Sequence, residues 1–478
     1  MNRRMVFRIV GYIGLCEAAL LLLPALVGLI YIESSAYAFL LTAAVSAAAG
    51  TLLVAFCKPK SRKLYAKEGF AVVAQAWLYM SLVGALPFVL CGEIPNYFDA
   101  FFETVSGFTT TGASIVDNLD LLSHPVLFWR SFTHFIGGMG VLIFIMAIIP
   151  NVSDSSIHIM RAEMPGPIVG KLVPRARDTA RILYIIYLGL TALETVILTV
   201  GGTPFFESML YAFGSAGTGG FGVTSAGIQG SFAQWVIGVS VVLFGVNFNL
   251  YYLLLARKFK AAFTSRELWV YLGIVVLSTG GICWNILPMY TGFGESVRHA
   301  FFQTASILTT TGFSTVDFDA WPMLSKGILL VLMFIGGCAG STAGGLKVSR
   351  VILGIKSIGR EFKRMVHPRS VSVVHFEGRP ADEQTLNGVS NYMMLYMASL
   401  GAVFLLLCFD QMGFTENISA TVACINNIGP GFGKIGPALS YSGYSAFSKV
   451  VLSVAMLAGR LEFYPLILAF LPSNWIKK

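Results

Sequence analysis

The chain is 478 residues long, 55% hydrophobic and only 12% charged, with 33 basic and 24 acidic residues for a net charge of +9. Soluble domains carry about 25% charged residues. This balance, with a mean hydropathy of +0.73, excludes a soluble enzyme, a disordered chain and a fibre, and leaves a polytopic membrane protein. The 50 glycines do not suit a plain helical bundle, because glycine is costly inside helices.

The first apolar stretch, 6–31, lacks a small-residue cleavage site and reads as a first span rather than a signal peptide. A crossing needs about 20 apolar residues. Further spans are expected at roughly 35–57, 71–91, 129–150, 181–201, 232–256, 268–290, 325–353, 391–411 and 446–472. Ten spans place both termini on one side. The basic residues divide unequally: 27 fall on that side, in Arg3–Arg8, Lys58–Lys67, Arg161–Arg181, Arg257–Arg266, the loop Lys347–Arg379 and Lys477–Lys478. Five fall opposite (Arg130, Arg298, Lys326, Lys434, Lys449), and Arg460 lies within a span. The positive-inside rule makes the rich side cytoplasmic and explains the net charge without nucleic acid. The seven cysteines form no CxxC pair, which argues against disulfides or zinc.

Four external segments carry a semi-apolar stretch too short to span, each followed by a polar, glycine-containing turn. Asn96–Thr109 leads into Thr110-Thr111-Gly112, and Pro204–Ala216 into Gly217-Thr218-Gly219-Gly220-Phe221. Glu295–Thr309 leads into Thr310-Thr311-Gly312, and Thr415–Asn426 into Asn427-Ile428-Gly429-Pro430-Gly431. Aligned on Gly112, Gly219, Gly312 and Gly429, the repeat recurs at 107, 93 and 117 residues. Each short helix starts near an acid (Asp99, Glu207, Glu295, Glu416), 13, 12, 17 and 13 residues before its glycine. An acid suits the positive end of a helix dipole, so the opposite end directs free carbonyls at the turn. Irregular backbone at membrane depth persists only when it lines water or is buried in protein. Four such turns about one axis would form a carbonyl ring able to replace the hydration shell of a monovalent cation.

These motifs resemble the TrkH type of the Trk/Ktr/HKT potassium-transporter superfamily over nearly the whole chain. The residues that carry the resemblance are Thr-Thr-Gly in repeats one and three, Gly-Thr-Gly-Gly-Phe in repeat two and Asn-Asn-Ile-Gly-Pro-Gly in repeat four. The resemblance implies an all-α polytopic membrane protein with two leading transmembrane helices (1–67). Four M1–P-loop–M2 repeats (68–160, 161–262, 263–365, 366–478) then surround a central pore. It implies potassium uptake, with K+ and Rb+ conducted through a filter containing Gly112, Gly219, Gly312 and Gly429. Thr110, Thr111, Thr310 and Thr311 would lend carbonyls, with Gly217, Thr218, Asn427 and Ile428 as counterparts. Gly220 and Gly431 are alternatives for the central glycine of their loops. The loops are less regular than the TVGYG of tetrameric potassium channels, so some sodium is expected to pass.

The expected eighth span contains Gly336, Gly337, Gly340, Gly344 and Gly345 within ten residues. At roughly 1 kcal/mol per glycine relative to alanine, a continuous helix is disfavoured, and a broken helix is expected; close helix packing is the rival account. Similarity to the family makes this segment a gate beneath the filter, with Ser341 and Thr342 as small polar residues facing the pore. A charge such as Arg460 near the bilayer centre must meet water or a partner. The resemblance puts it in the pore as a cation barrier; a structural ion pair, for instance with Glu462, is the rival account. Asp117, Asp120, Asp317 and Asp319 follow loops one and three and either concentrate cations at the outer mouth or are solvated loop acids. His299, His367 and His375 show no ligand spacing.

Gly217–Gly222 matches GxGxxG without the strand, βαβ unit and downstream acid that a dinucleotide site needs. Gly340–Lys347 misses a Walker A spacing by one residue. The chain is therefore expected to bind no cofactor, with K+ as the transported ion. The resemblance implies a homodimer with a pore in each subunit and a cytoplasmic ring of TrkA-type nucleotide-binding regulators. That ring would dock on the basic loops 350–379 and 151–178. It also implies a cell (inner) membrane location, among membrane lipids. The rival from another class is a sodium- or proton-coupled secondary transporter. Fourfold parallel repetition, rather than an inverted pair, argues against it.

Overall fold

The leading helices α1 (Arg3–Ile30) and α2 (Ala36–Phe56) pack on one another through small residues. A Cβ on Gly11 would strike the Gly50 carbonyl oxygen, and a Cβ on Gly50 would strike that of Gly11. In lipid, apolar burial gives helices no drive to associate, so close backbone approach at glycine does that work. The computed structural model describes residues 1–59, 65–140, 176–370 and 372–471, and elements are numbered within these. The second half of the expected span 129–150, the segment 151–175, Lys60, Arg62, Lys63, Lys477 and Lys478 lie outside the described residues.

The remaining chain repeats one unit of outer helix, short pore helix and second outer helix. Repeat one has α3 (Ala66–Gly84), its continuation α4 (Leu86–Leu90), pore helix α5 (Tyr97–Phe108) and α6 (His124–Gly138). Repeat two has α7 (Ala176–Val200), pore helix α8 (Phe205–Gly217), and α9 (Ser231–Phe244) bent by 90° into α10 (Phe248–Leu255). The short α11 (Phe259–Phe263) follows. Repeat three has α12 (Arg266–Ile286), pore helix α13 (Phe293–Leu308), α14 (Met323–Ile335) and, beyond a break, α15 (Val348–Val366). Repeat four follows a hairpin of β1 (His375–Phe376) and β2 (Arg379–Pro380). It has α16 (Glu383–Leu407), pore helix α17 (Phe414–Ile425), and α18 (Ala446–Arg460) bent by 118° into α19 (Tyr464–Phe470).

Among the described residues, six helices are long and apolar enough to cross a membrane, and eight if each bent pair counts as one span. The pore helices have 12, 13, 16 and 12 residues. At 1.5 Å per residue they reach about 18–24 Å, short of a roughly 30 Å hydrocarbon core. Each is wedged between the second outer helix of its own repeat and that of the repeat before. Thus α5 lies on α6 and α18, α8 on α9 and α6, α13 on α14 and α9, and α17 on α18 and α14. The contact of α5 with α18 closes the circle.

The stretch expected as a basic cytoplasmic loop from Lys347 is helical through Val366. Lys347 and Arg350, counted there as loop charges, are instead buried, at 2% and 6% exposure. Gly50→Leu is expected to force α1 and α2 apart, at an overpacking cost of about 1–3 kcal/mol. A lower midpoint of thermal unfolding in detergent measures this.

Candidate functional site

Each pore helix has its acid in the first turn: Asp99, Glu207, Glu295 and Glu416. Each also ends in the same cap. The N–H groups of Thr111, Gly219, Thr311 and Ile428 donate to the carbonyls of Ser106, Gly214, Ser306 and Ala423, at 2.8, 2.8, 2.8 and 2.9 Å. This is a Schellman closure, which needs a left-handed residue and usually takes glycine. Here that residue is Thr110, Thr218, Thr310 or Asn427, with φ of 56°, 55°, 57° and 56°. A β-branched residue in this region is an outlier that costs on the order of 1–3 kcal/mol and persists only where its surroundings over-determine it. Two residues on, Gly112, Gly220, Gly312 and Gly429 take φ of 77°, 71°, 83° and 95°.

The cap corrects the alignment of the second loop. Gly220, not Gly219, matches Gly112, while Gly219 matches Thr111 and Gly217 matches Thr109. The glycine intervals become 108, 92 and 117, and Glu207 moves to 13 residues before its glycine, as in loops one and four. In loop four the position belongs to Gly429 rather than Gly431.

The loops close on one another in cyclic order. A Cβ on Gly112 would collide with the Gly219 carbonyl oxygen, one on Gly220 with that of Thr311, one on Gly312 with that of Ile428 and one on Gly429 with that of Thr111. Each glycine therefore makes room for the middle carbonyl of a neighbouring loop. Asn427 adds a side-chain tie, donating from Nδ2 to Thr111 Oγ1 at 2.9 Å and to the Met456 carbonyl at 3.0 Å. On the outer side, all four glycines line a cavity of about 520 Å³.

Of the outer acids, Asp117 lines this cavity and accepts from Ser442 at 3.2 Å. The others brace loops. Asp120 accepts from the Ser225 N–H at 3.1 Å, and Asp317 from the Asp319 N–H at 3.0 Å. Asp319 accepts from the Gly433 N–H at 3.1 Å and pairs with Lys326 at 3.4 Å.

Beneath loops three and four lies the break between α14 and α15. α14 stops at Gly336 (φ 76°), and helix resumes after Lys347 (φ 76°). The Gly344 N–H donates to Thr310 Oγ1 at 2.6 Å, and a Cβ there would meet the Asn426 carbonyl. Gly336 packs on Gly344 and Gly345, and the Gly337 carbonyl accepts from Val348 at 3.0 Å. The Gly340 carbonyl accepts from Phe248 at 3.0 Å, and Glu267 accepts from the Ala339 N–H at 2.7 Å. Ser341 and Thr342 do not offer free hydroxyls to a pore. Their hydroxyls donate to the carbonyls of Cys338 (2.6 Å) and Phe244 (3.3 Å), because a loop without helical bonds must satisfy its backbone locally. The Lys347 ammonium bonds the Ala343 carbonyl.

Arg460 is not paired with Glu462, which binds Arg350 through two bonds of 2.9 and 2.5 Å. Its guanidinium instead donates to the Thr342 carbonyl at 2.8 Å and to the carbonyls of Gly137 and Gly138 at 2.6 Å each. It thereby ties the intramembrane loop of repeat three to the end of α6 in repeat one.

Several site residues left little trace in the sequence. Thr109 and Thr309 share hydroxyl bonds with Thr111 and Thr311 at 2.8 and 2.7 Å, and Tyr396 donates to Asn426 at 3.0 Å. Tyr441 donates its hydroxyl to the Gly429 carbonyl at 2.7 Å. Glu103 had a readable signal, as a second acid in the middle of an apolar helix, one turn beyond Asp99.

Four capped pore helices whose loops close on one another in cyclic order define a single-chain membrane transport protein of the fourfold re-entrant-loop class. The chain belongs to the TrkH family of cation transport proteins, whose model matches residues 35–272 and 289–478. It is 36% identical to the Trk system potassium uptake protein TrkH of Salmonella typhimurium, over 99% of this chain and 100% of that one. It is 33% identical to the Trk system potassium uptake protein TrkG of Escherichia coli, over 99% and 98%. The fold matches the crystal structure of the potassium transporter TrkH from Vibrio parahaemolyticus with a TM-score of 0.90 and 32% identity, over 100% of both chains.

Asn427→Ala strips the tie between loops four and one and leaves buried partners unmet. A loss of about 1–3 kcal/mol is expected, measured as a lower thermal unfolding midpoint in detergent.

Proposed function

We propose that this protein takes up potassium by conducting it through the four-loop ring, with rubidium as a surrogate and sodium discriminated against. The observation that carries the reading is the cyclic contact of each glycine with the middle carbonyl of another loop. Carbonyl oxygens held at fixed spacing replace the hydration shell of a cation of fitting size. The pore helices turn the negative ends of their dipoles toward the same point. Potassium as the cargo follows from the relatives, two of them potassium uptake proteins and one a potassium transporter.

In this reading the filter comprises Thr110–Gly112, Thr218–Gly220, Thr310–Gly312 and Asn427–Gly429. The loop 336–347 is the gate beneath it, and Arg460 is both a cation in the pathway and the latch that holds the loop closed. Lys363, Arg364 and Arg369 are exposed around the end of α15 and form part of the docking face for TrkA-type nucleotide-binding regulators. The protein acts as a homodimer in the inner membrane, with both termini cytoplasmic and the four repeats as its structural units.

Rubidium flux into proteoliposomes, with sodium as competitor, tests the filter. Gly112→Ser and Gly312→Ser each place a Cβ against the facing carbonyl and are expected to abolish rubidium preference. Flux and selectivity unmoved by both would sink the assignment. Arg460→Ala removes the latch and is expected to raise rubidium flux severalfold in the absence of any regulator; unchanged flux counts against the gate.

A further inference from the structure

Asn427 ties loop four to loop one and Asp319 ties the third repeat to the chain after loop four, but the joint between loops one and two is built differently. Helix α6 presents Arg130 and His134, four residues apart and therefore on one face, with 1% and 0% exposure. Arg130 Nε meets Glu103 Oε1 at 2.8 Å, and its Nη2 donates to Ser114 Oγ at 3.1 Å. Glu103 also accepts from Ser114 Oγ at 3.0 Å and from the Ile115 N–H at 2.9 Å. These contacts all lie on pore helix α5 and the chain just after loop one. On its other side, Arg130 Nη1 donates to the Gly222 carbonyl at 3.3 Å, and the guanidinium stands 4.4 Å from the Phe221 ring centre.

His134 repeats this bridge one turn on. Its Nδ1–H donates to the Gly107 carbonyl of α5 at 2.8 Å, and its Nε2 accepts from the Phe221 N–H at 3.3 Å. The ring lies 4.2 Å from that of Phe221. Only a neutral imidazole with its proton on Nδ1 can serve both bonds. Both side chains thus grip the pore helix of repeat one or the chain just after its loop with one edge, and the two residues after Gly220 with the other. The position matching Glu103 in loop three is Gln303, which bonds Ser314 at 2.9 Å without an arginine.

We infer that Arg130 and His134 are positioning residues that set the gap between Gly112 and the Gly219 carbonyl, and so the cation preference of the ring. The inference rests on the proposed potassium pathway. The ion charge is not read by Arg130, whose own charge is met by Glu103. What the pair controls is where the second loop stands relative to the first. A carbonyl ring whose spacing relaxes on one side loses its size discrimination before it loses conduction.

The test is initial rubidium and sodium uptake in proteoliposomes, per unit of protein that elutes as a single folded species. Arg130→Lys keeps a charge opposite Glu103, but one ammonium cannot span Ser114 and Gly222 as a guanidinium does. His134→Asn keeps a donor for Gly107 and drops the acceptor for Phe221. Each is expected to lower the rubidium-to-sodium ratio about five- to tenfold, the scale of one lost hydrogen bond. Ser114→Ala, a milder change, lowers it in the same direction. An unmoved ratio in the folded variants reduces the pair to a structural brace and overturns the inference. A wild-type protein without rubidium preference overturns the potassium pathway itself, and this inference with it.

Discussion

Everything in this architecture depends on four missing side chains. At Gly112, Gly220, Gly312 and Gly429 the space that a Cβ would fill is taken by a carbonyl oxygen of another loop. The positive φ at each site makes the same demand from within the chain. Steric room and backbone conformation therefore select glycine twice over, which is why the loops approach closely enough to form one ring.

The ring is held from outside by the way the pore helices are shared. Each is gripped by outer helices of two repeats, so no repeat is a self-sufficient unit and the fourth must fold back on the first. Side-chain ties then break the symmetry. Asn427 links loops four and one, Asp319 links the third repeat to the chain after loop four, and Arg130 with His134 link repeats one and two. The strained threonines at the caps persist because this surrounding frame leaves them no alternative.

The sequence made the spans, the pore helices with their acids, and the Thr-Thr-Gly loops legible, because each rests on local chemistry: apolar length, helix dipole and glycine φ. Loop two slipped by one residue because Gly217, Gly219 and Gly220 all satisfy the pattern, and only the left-handed cap at Thr218 fixes which glycine is which. Lys347 counts among the cytoplasmic loop charges on the positive-inside rule, yet it is buried and folds back onto the Ala343 carbonyl. Arg460 was legible as an anomaly, but its partners were not. Helix-end carbonyls at Gly137 and Gly138, and the loop carbonyl of Thr342, become available only through breaks that tertiary packing creates. Arg350 with Glu462, 112 residues apart, is of the same kind.

Because the four corners of the ring are encoded by four separate stretches of one gene product, they are free to diverge. A substitution in a homotetrameric channel is imposed four times at once, and a mild fault becomes a fourfold one. Here a change touches a single quadrant and leaves three intact. The unlike residues at the middle position, Thr111, Gly219, Thr311 and Ile428, are the visible record of that freedom. Selection can adjust such a pathway in quarter steps.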